Sequence, residues 1–241
     1  MTEPREIEAK FDIDPADRAL LLSTTTIGRF SVKERRTAAQ DDIYFDTDDG
    51  LLAAAGSTLR VRRTSGGAKM TYKGRREASR DGEGHIASRP EDEAQLDASQ
   101  AAAIAIDLPL PELDSLSPLA RARGIAGRAA LLPVARLQNT RATMLLADDQ
   151  GMTLELAVDD CVGTRLSDGR ATPFDEVELE TKTATRAALI ETADALRSLV
   201  PSLRPSPTTK LGRTLGYGDS GPEGRSDASS RGRRGGCARH S

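Results

Sequence analysis

Charged and mostly apolar residues alternate with a period of two in six segments of the chain. In the first, residues 6–11, the even positions are charged and the odd positions are apolar. The other five segments cover residues 59–62, 69–73, 89–93, 154–159 and 174–180. A period of two places these side chains on opposite faces of a strand. The pattern therefore predicts six strands, each with one charged face.

Helical periodicity is strongest in residues 183–200, where one stripe carries the apolar residues Leu189, Ala193, Leu196 and Val200. A shorter helix is predicted to begin at Asp14-Pro15. Residues from about 95 to 130 are rich in Ala, Leu, Pro and Arg. Here Asp97 is predicted to cap a helix that reaches Ile106, and Ser117 to begin a second helix that stops near Gly124 or Gly127. We expect a helical insertion between two strand-rich halves.

The charged faces decide how the strands are arranged. For any single strand, the simpler interpretation is an ordinary sheet with one wet face. Six such strands, three mainly basic and three mainly acidic, favour a sheet that closes with its charged faces inward, because closure brings opposite charges together. We therefore expect an α+β fold of mainly antiparallel strands, with a charged lumen and peripheral helices.

The charged residue types also indicate the chemistry of that lumen. Clustered carboxylates without nearby His or Cys suit Mg²⁺ or Mn²⁺, which prefer oxygen ligands. Arginine and lysine suit phosphate oxygens. Neither a Walker-type nor a Rossmann-type glycine motif occurs in the chain. The residues thus point to a metal-dependent site for a ligand with several phosphate groups.

Composition limits the remaining possibilities. The 241 residues carry 34 Lys+Arg and 37 Asp+Glu, a net charge of -3, which argues against a nucleic-acid partner. The longest apolar run, residues 101–106, is too short to cross a membrane, and the charged N-terminus shows no signal peptide. With only two cysteines, Cys161 and Cys237, we expect a cytoplasmic protein without a disulfide framework.

Three further residues or segments receive plain structural interpretations. Residues 218–241 contain no aliphatic side chain larger than Ala, so we expect a disordered tail. We expect His85 to lie in an exposed turn. Cys161, which we place at the end of a strand, is expected to pack in the interior rather than to act as a nucleophile.

The motif Glu6-x-Glu8-x-Lys10 resembles the ExExK signature of the CYTH superfamily, the triphosphate tunnel metalloenzymes. Further segments resemble that family's motifs in the same order. They are residues 42–47, 59–62, 71–74, 89–93, 140–141, 158–160, 176–180 and, at the C-terminal end, Thr209-Lys210-x-x-Arg213. The resemblance covers residues 3–216 and implies one domain, a closed tunnel of about eight antiparallel strands.

The resemblance also implies roles for individual residues. Glu6, Glu8 and Lys10 are implied to take part in catalysis. The implied metal ligands are Glu6, Glu8, Asp159, Glu176 and Glu178, with Glu91 and Glu93 as further candidates. The implied phosphate-binding residues are Lys10, Arg60, Arg62, Lys73, Arg141 and Lys210. Five nearby residues are left open as ligand contacts: Lys69, Arg89, Arg136, Glu155 and Glu180.

We expect metal-dependent hydrolysis of a triphosphate, most simply inorganic triphosphate, with Mg²⁺ or Mn²⁺ as cofactor. One alternative is a class IV-type adenylate cyclase, although aromatic residues that could stack on a base make up only 3% of the chain. The second alternative is a module that binds triphosphate or polyphosphate with little turnover, because the sequence is similar to the CYTH part of CYTH–CHAD proteins and shows no CHAD-like segment. The sequence leaves open whether the protein forms a homodimer.

Overall fold

The computed structural model describes residues 5–78, 86–113 and 115–217. His85 and the expected tail, residues 218–241, lie outside the described residues. Eleven strands are found in the described part of the chain: β1 (Arg5–Asp12), β2 (Thr26–Ile27), β3 (Phe30–Asp46), β4 (Thr58–Thr64), β5 (Gly67–Lys73), β6 (Glu77–Ala78), β7 (Ile86–Leu96), β8 (Leu132–Ala147), β9 (Thr153–Arg165), β10 (Ala171–Thr181) and β11 (Arg204–Pro205). The α-helices there are α1 (Arg18–Ser23), α2 (Leu51–Ala54), α3 (Ala98–Ala103), α4 (Ser117–Ala126), α5 (Arg186–Leu199) and α6 (Lys210–Leu215).

Eight of the strands form a closed ring. Their order is β1-β10-β9-β8-β3-β4-β5-β7, and β7 pairs with β1 to complete it. Every pairing in the ring is antiparallel. The short strands β2, β6 and β11 attach to β3, β7 and β1. The expected fold, a tunnel of mainly antiparallel strands with helices at its periphery, is confirmed.

The apolar faces of the strands point outward and are covered by helices. One buried cluster joins Ala9 and Phe11 of β1 to Leu189 and Leu196 of α5. A second cluster packs β4 and β5 under α3 and α4. Because the helices keep water from the outer faces, burial of apolar surface stabilises the ring from outside. The inner faces carry mainly charged side chains, apart from a small apolar cluster at one end.

The wall of the ring is higher on one side than on the other. Strand β3 pairs with β8 from Ser31 to Asp46, but it pairs with β4 only from Asp41 to Phe45. Residues 31–40 of β3 and residues 139–147 of β8 therefore continue beyond the β4–β5 hairpin. We call this part of the sheet the tall wall. Its inner face extends the cavity described below.

Helix α6 lies at the opposite end of the ring. Its Leu211 packs with Tyr44, Leu137 and Cys161 in a small buried cluster. The Thr209 hydroxyl accepts a hydrogen bond from the Gly212 amide and caps the helix, and Gly216 ends it with a φ of 74°. This short helix covers the inner end of the cavity and places Lys210 there.

The helices expected from the sequence are present with small shifts. Thr185 caps α5, and α4 begins at Ser117 and ends before Gly127. Asp97 and Gln100 form a capping box at the start of α3. The predicted end of α3 at Ile106 is wrong, because Ile104 takes an extended backbone and is buried in the second cluster. Among the described residues, no helix is long and apolar enough to span a membrane.

A charged cavity as the candidate functional site

The ring encloses a cavity of about 470 Å³, within the range of roughly 300–1,000 Å³ that is usual for small-molecule sites. Its wall carries charged side chains from all eight strands, since alternation turns every second residue inward. The basic residues that line it are Lys10, Arg36, Arg60, Arg62, Lys69, Lys73, Arg89, Arg141, Lys182 and Lys210. So many cations around one cavity favour an anionic ligand.

Carboxylates match these cations almost one for one. Those that line the cavity, or pair with a lining base, are Glu6, Glu8, Glu34, Asp42, Glu91, Glu93, Glu155, Asp159, Glu176, Glu178 and Glu180. The cavity is thus close to electrically neutral. A ligand that carries several negative charges needs accompanying cations if it is to enter without a large electrostatic cost.

Three carboxylates lie close enough together to hold a metal ion: Asp159, Glu176 and Glu178, which we call the carboxylate trio. One oxygen from each lies within 4.8 Å of the others. The register of the sheet brings them together, because Glu176 of β10 lies opposite Asp159 of β9 and Glu178 is the next inward residue. Backbone register and side-chain position therefore agree in bringing the three carboxylates together.

The ammonium of Lys210 lies between the three carboxylates. Lys210 Nζ donates to Glu176 Oε1 at 2.5 Å and to Glu178 Oε1 at 2.7 Å, and it lies 3.0 Å from Asp159 Oδ2. These anions more than offset the effect of burial and raise the pKa of Lys210 well above its ordinary value. The lysine therefore stays protonated and neutralises part of the trio.

The trio fits a divalent ion. Its donors are all carboxylate oxygens, which suit Mg²⁺ and Mn²⁺. The Oε2 atom of Glu176 is buried and accepts no hydrogen bond, although buried polar atoms normally do; Arg213 Nε lies 3.5 Å from it. Burial raises the pKa of the Glu176 carboxyl against the opposing effect of Lys10 and Lys210. A bound divalent cation would supply the missing partner.

The residues of β1 approach the trio from the neighbouring strand. Lys10 Nζ lies 2.8 Å from Glu178 Oε1 and 3.6 Å from both Glu176 Oε1 and Glu8 Oε1. Arg89 donates to Glu8 at 3.0 Å and to Glu6 at 2.9 Å. Glu8 and Glu6 thus lie beside the trio, with the basic side chains Lys10 and Arg89 between the acids.

Glu6 has a second basic neighbour. Lys73 Nζ donates to both Glu6 oxygens at 2.8 Å and lies 3.1 Å from Glu91. Burial acts to raise the pKa of Glu6, but Lys73 and Arg89 outweigh it and hold the pKa well below its ordinary value. Glu6 is therefore ionised at neutral pH, as a metal-binding carboxylate must be.

Buried carboxylates orient the arginines. Asp42, which is fully buried, accepts two hydrogen bonds of 2.7 Å from Arg62 and one of 3.3 Å from Arg60. Asp159 accepts from Arg141 Nε at 2.8 Å and from its Nη2 at 2.6 Å, and Arg141 also donates to Glu178. These contacts fix the planar guanidinium groups. Four of the expected phosphate-binding residues, Arg60, Arg62, Lys73 and Arg141, line the cavity in this way.

A second set of charges lies at the open end, which we call the mouth. Lys69 donates to Glu93 at 2.7 Å, and Lys182 lies 3.0 Å from Glu180 and 3.5 Å from Glu155. Burial raises the pKa of Glu180 from 4.5 to about 7 despite Lys182. Glu93 thus lies with Lys69 at the mouth rather than with the trio, and Glu91 pairs with Lys73 between the two.

The structure separates the five residues left open by the sequence. Arg89 lies deep in the cavity, and Lys69, Glu155 and Glu180 lie at its mouth. Arg136 lies on the outer face of β8, where it pairs with Asp41 at 2.8 Å. It faces away from the cavity because β8 turns Ala135 and Leu137 inward.

Cys161 is buried beside Leu211, and burial raises the pKa of its thiol. It lies within β9 rather than at a strand end.

Sequence analysis missed three charged residues of the cavity: Arg36, Asp42 as an orienting partner of arginines, and Lys182. The period of two that runs through Glu176, Glu178 and Glu180 reaches Lys182 next and could have identified it. Arg36 had no such signal, since residues 33–39 of β3 are exposed and show no alternation. Asp42 was quoted only as part of a motif, and nothing in the sequence pairs it with Arg62.

Two solved structures share the fold of this chain. HpAC1 from Hippeastrum, named as a candidate adenylyl cyclase that reveals a dominant triphosphatase activity, has 20% identity over 88% of this chain and 95% of its own, with a TM-score of 0.63. A candidate adenylate cyclase from Bacillus halodurans has 22% identity over 88% of this chain and 98% of its own, with a TM-score of 0.59. At these identities the likeness shows the fold.

No curated protein matches the sequence significantly. The sequence profile of the CYTH domain, however, matches residues 4–215, nearly the whole of the described chain. Together with the ring of eight antiparallel strands and its charged interior, this match shows that the chain belongs to the CYTH domain family.

Proposed function

We propose that the protein hydrolyses a triphosphate, with inorganic triphosphate as the best substrate and Mg²⁺ or Mn²⁺ as the cofactor. The observation that carries the proposal is the carboxylate trio, in which one Glu176 oxygen accepts no hydrogen bond, beside a cavity lined by basic side chains. The dominant triphosphatase activity named for HpAC1 supports the same reaction class.

The basic residues bind and orient the substrate. Arg60, Arg62, Arg141 and Lys73 are already directed into the cavity by carboxylates, so they can donate to phosphate oxygens with little loss of side-chain entropy. Their fixed positive charges are suited to the charge that develops on the phosphoryl group and on the leaving pyrophosphate. Arg141 contacts the trio directly, whereas Glu6 of β1 pairs with Lys73 and Lys10 of β1 pairs with Glu178 of the trio.

The carboxylates would hold the cofactor. Asp159, Glu176 and Glu178 would be its ligands, and Glu6 and Glu8, which Arg89 joins on the neighbouring strand, are the candidate ligands of a second ion. A divalent ion there supplies charge neutralisation and an activated water. The charge balance of the cavity also calls for a divalent cation. Because the cavity is close to neutral, a triphosphate bound alone would leave it strongly negative.

The cavity favours hydrolysis over cyclisation of a nucleotide. Among the described residues that line it, the aromatic side chain is Tyr44, which lies at the inner end against α6. A base that projected from the mouth would meet Arg36, Thr143, Glu155 and Lys182 instead, with no ring on which to stack. Inorganic triphosphate needs no such surface.

The test is phosphate release from inorganic triphosphate and from ATP, measured with and without Mg²⁺ or Mn²⁺, beside calorimetric binding of both ligands. We expect metal-dependent release that is faster from inorganic triphosphate. Tight binding without release would indicate the binding module instead. Formation of cyclic AMP as the main product from ATP would indicate the cyclase, and full activity in chelator would contradict the metal site.

A further inference from the structure

The cavity does not end at the ring of eight strands but continues along the tall wall. Its lining includes Arg36 and Ala38 of β3, Thr143 of β8, and Glu155 of β9. Arg36 lies opposite Thr143, and Ala38 lies opposite Arg141. Arg36 is therefore two residues, roughly 7 Å, further outward than the position at which Arg141 reaches the trio.

Of the three basic residues at the open end, Arg36 is held least firmly. Lys69 and Lys182 are held by carboxylates at 2.7 and 3.0 Å. The ion pair of Arg36 is with Glu34, two residues away on the same strand, at 3.3 Å. The Arg36 side chain is 64% exposed and that of Glu34 is 53% exposed. A guanidinium has five N–H donors, so most of those of Arg36 are available to a ligand or to water.

The surroundings of Arg36 suit a thin, charged ligand rather than a ring. Ala38 occupies the next inward position on β3 and leaves open space beside the guanidinium. Thr143 offers a hydroxyl from the opposite position on β8. A strand of phosphate groups has no side groups, so it can follow such a surface out of the cavity.

We propose that the tall wall binds the part of a linear polyphosphate that extends beyond the three phosphate groups in the ring, with Arg36 as its main anion-binding residue. The proposal rests on the proposed function, because it places a terminal triphosphate segment in the ring. Arg36 then determines preference for chain length. It does not take part in the chemistry of the buried phosphates.

The experiment compares Arg36→Gln with the wild-type chain in calorimetric binding of two probes, inorganic triphosphate and a linear polyphosphate several times longer. We expect affinity for the long polyphosphate to fall by roughly five-fold, the scale of one exposed charged contact, while affinity for triphosphate is unchanged. The matched control is Arg136→Gln, which removes the same charge from the outer face of β8 and should weaken neither probe.

Phosphate release assays on the same proteins provide the second measurement. In Arg36→Gln, kcat/KM should fall for the long polyphosphate through KM, with kcat unchanged and triphosphate kinetics unchanged. Equal losses for both probes, or no loss for either, would overturn the proposal. A loss for ATP without a loss for polyphosphate would indicate a nucleotide-binding mouth and would overturn it too.

The two proposals can fail separately. If the wild-type chain bound both probes without releasing phosphate, the proposed hydrolysis would be contradicted. The effect of Arg36→Gln on polyphosphate affinity could still be measured. If triphosphate hydrolysis were normal and Arg36→Gln did not change affinity for the long polyphosphate, only the proposed role of the tall wall would be contradicted.

Discussion

Each basic side chain deep in the cavity is held by one or more carboxylates, and this arrangement decides how the site can work. Arg62 and Arg141 each make two hydrogen bonds to a fully buried aspartate, Asp42 or Asp159. Such contacts are costly to assemble because burial removes the hydration of both ions. In return, the donors are directed before a ligand arrives. Removing one member leaves its partner charged and buried.

Glu176 is the residue at which the metal hypothesis is tested most directly. Glu176→Gln keeps the side-chain volume but removes one of the three negative charges that would hold the ion. We expect Mn²⁺ binding, measured by calorimetry, to weaken roughly ten-fold or more and triphosphate hydrolysis to be lost. Glu112→Gln, at an exposed pair with Arg123, is the control and should leave both unchanged. Wild-type Mn²⁺ affinity in Glu176→Gln would show that the trio does not bind the ion.

Lys210 occupies the position between the carboxylates that an ion would take, so the two cations compete. In Lys210→Met the trio loses its neutralising ammonium. We expect Mn²⁺ to bind about ten-fold more tightly than to wild type in the absence of substrate, and the metal-free protein to unfold at a lower temperature. Hydrolysis should still fall, since a phosphate-binding cation is gone.

The control for Lys210 is Lys69→Met, which removes a lysine that pairs with Glu93 at the mouth and should leave Mn²⁺ affinity unchanged. Unchanged or weaker Mn²⁺ binding in Lys210→Met would contradict competition between the two cations. It would mean that the ion binds away from the trio.

At the scale of elements, helix α6 reaches the cavity because β9 has a glycine where the helix crosses it. A Cβ atom built on Gly163 would lie 2.1 Å from Thr214 Oγ1 and 2.8 Å from Thr214 Cβ. These distances are impossible without movement of α6, because Thr214 is fixed by its own helix. The close approach of helix and strand is thus part of what places Lys210.

Gly163→Ala should therefore displace α6. We expect a lower unfolding temperature and a loss of triphosphate hydrolysis that exceeds the loss of folded protein at the assay temperature. Gly124→Ala is the matched control, since Gly124 lies in α4 with no atom near its built Cβ, and alanine favours a helix. Full hydrolysis and normal unfolding in Gly163→Ala would show that α6 can shift without consequence.

The elements that alternation could predict are those with one dry and one charged face. Strands β1, β4, β5, β7, β9 and β10 fall in this class, and the period of two identified the charged residues on one face of each. The outer half of β3 was not, because neither face of residues 33–39 is buried and no periodicity forms. The place of Lys210 in the site came only from the family resemblance, and its contact with Asp159 was not predicted, since no local pattern joins residues so distant.

At the scale of the whole molecule, the two ends of the described chain are joined at the cavity. Strand β11 pairs with the end of β1, and the Ser206 amide donates to the Lys10 carbonyl at 2.9 Å. Arg213 pairs with Asp12 and lies 5.4 Å from the centre of the Phe174 ring. The segment that carries α6 is thereby attached to the strand that carries Glu6, Glu8 and Lys10.

Two truncations test this connection. A chain that ends at Tyr217 keeps α6 and loses only residues 218–241, whose composition offers no apolar anchor, so we expect unchanged unfolding temperature and unchanged triphosphate hydrolysis. A chain that ends at Arg204 loses Lys210, Leu211 and Arg213, which neutralise the trio, cover the inner end of the cavity and hold Asp12. We expect it to lose hydrolysis and to unfold at a lower temperature.

Because the chain that ends at Arg204 could fail simply by unfolding, circular dichroism at the assay temperature accompanies the kinetics. Lys210→Met in the full chain isolates the contribution of the ammonium. Full hydrolysis by the chain ending at Arg204 would show that the cavity works without its C-terminal helix, and the place of Lys210 in the site would then be wrong.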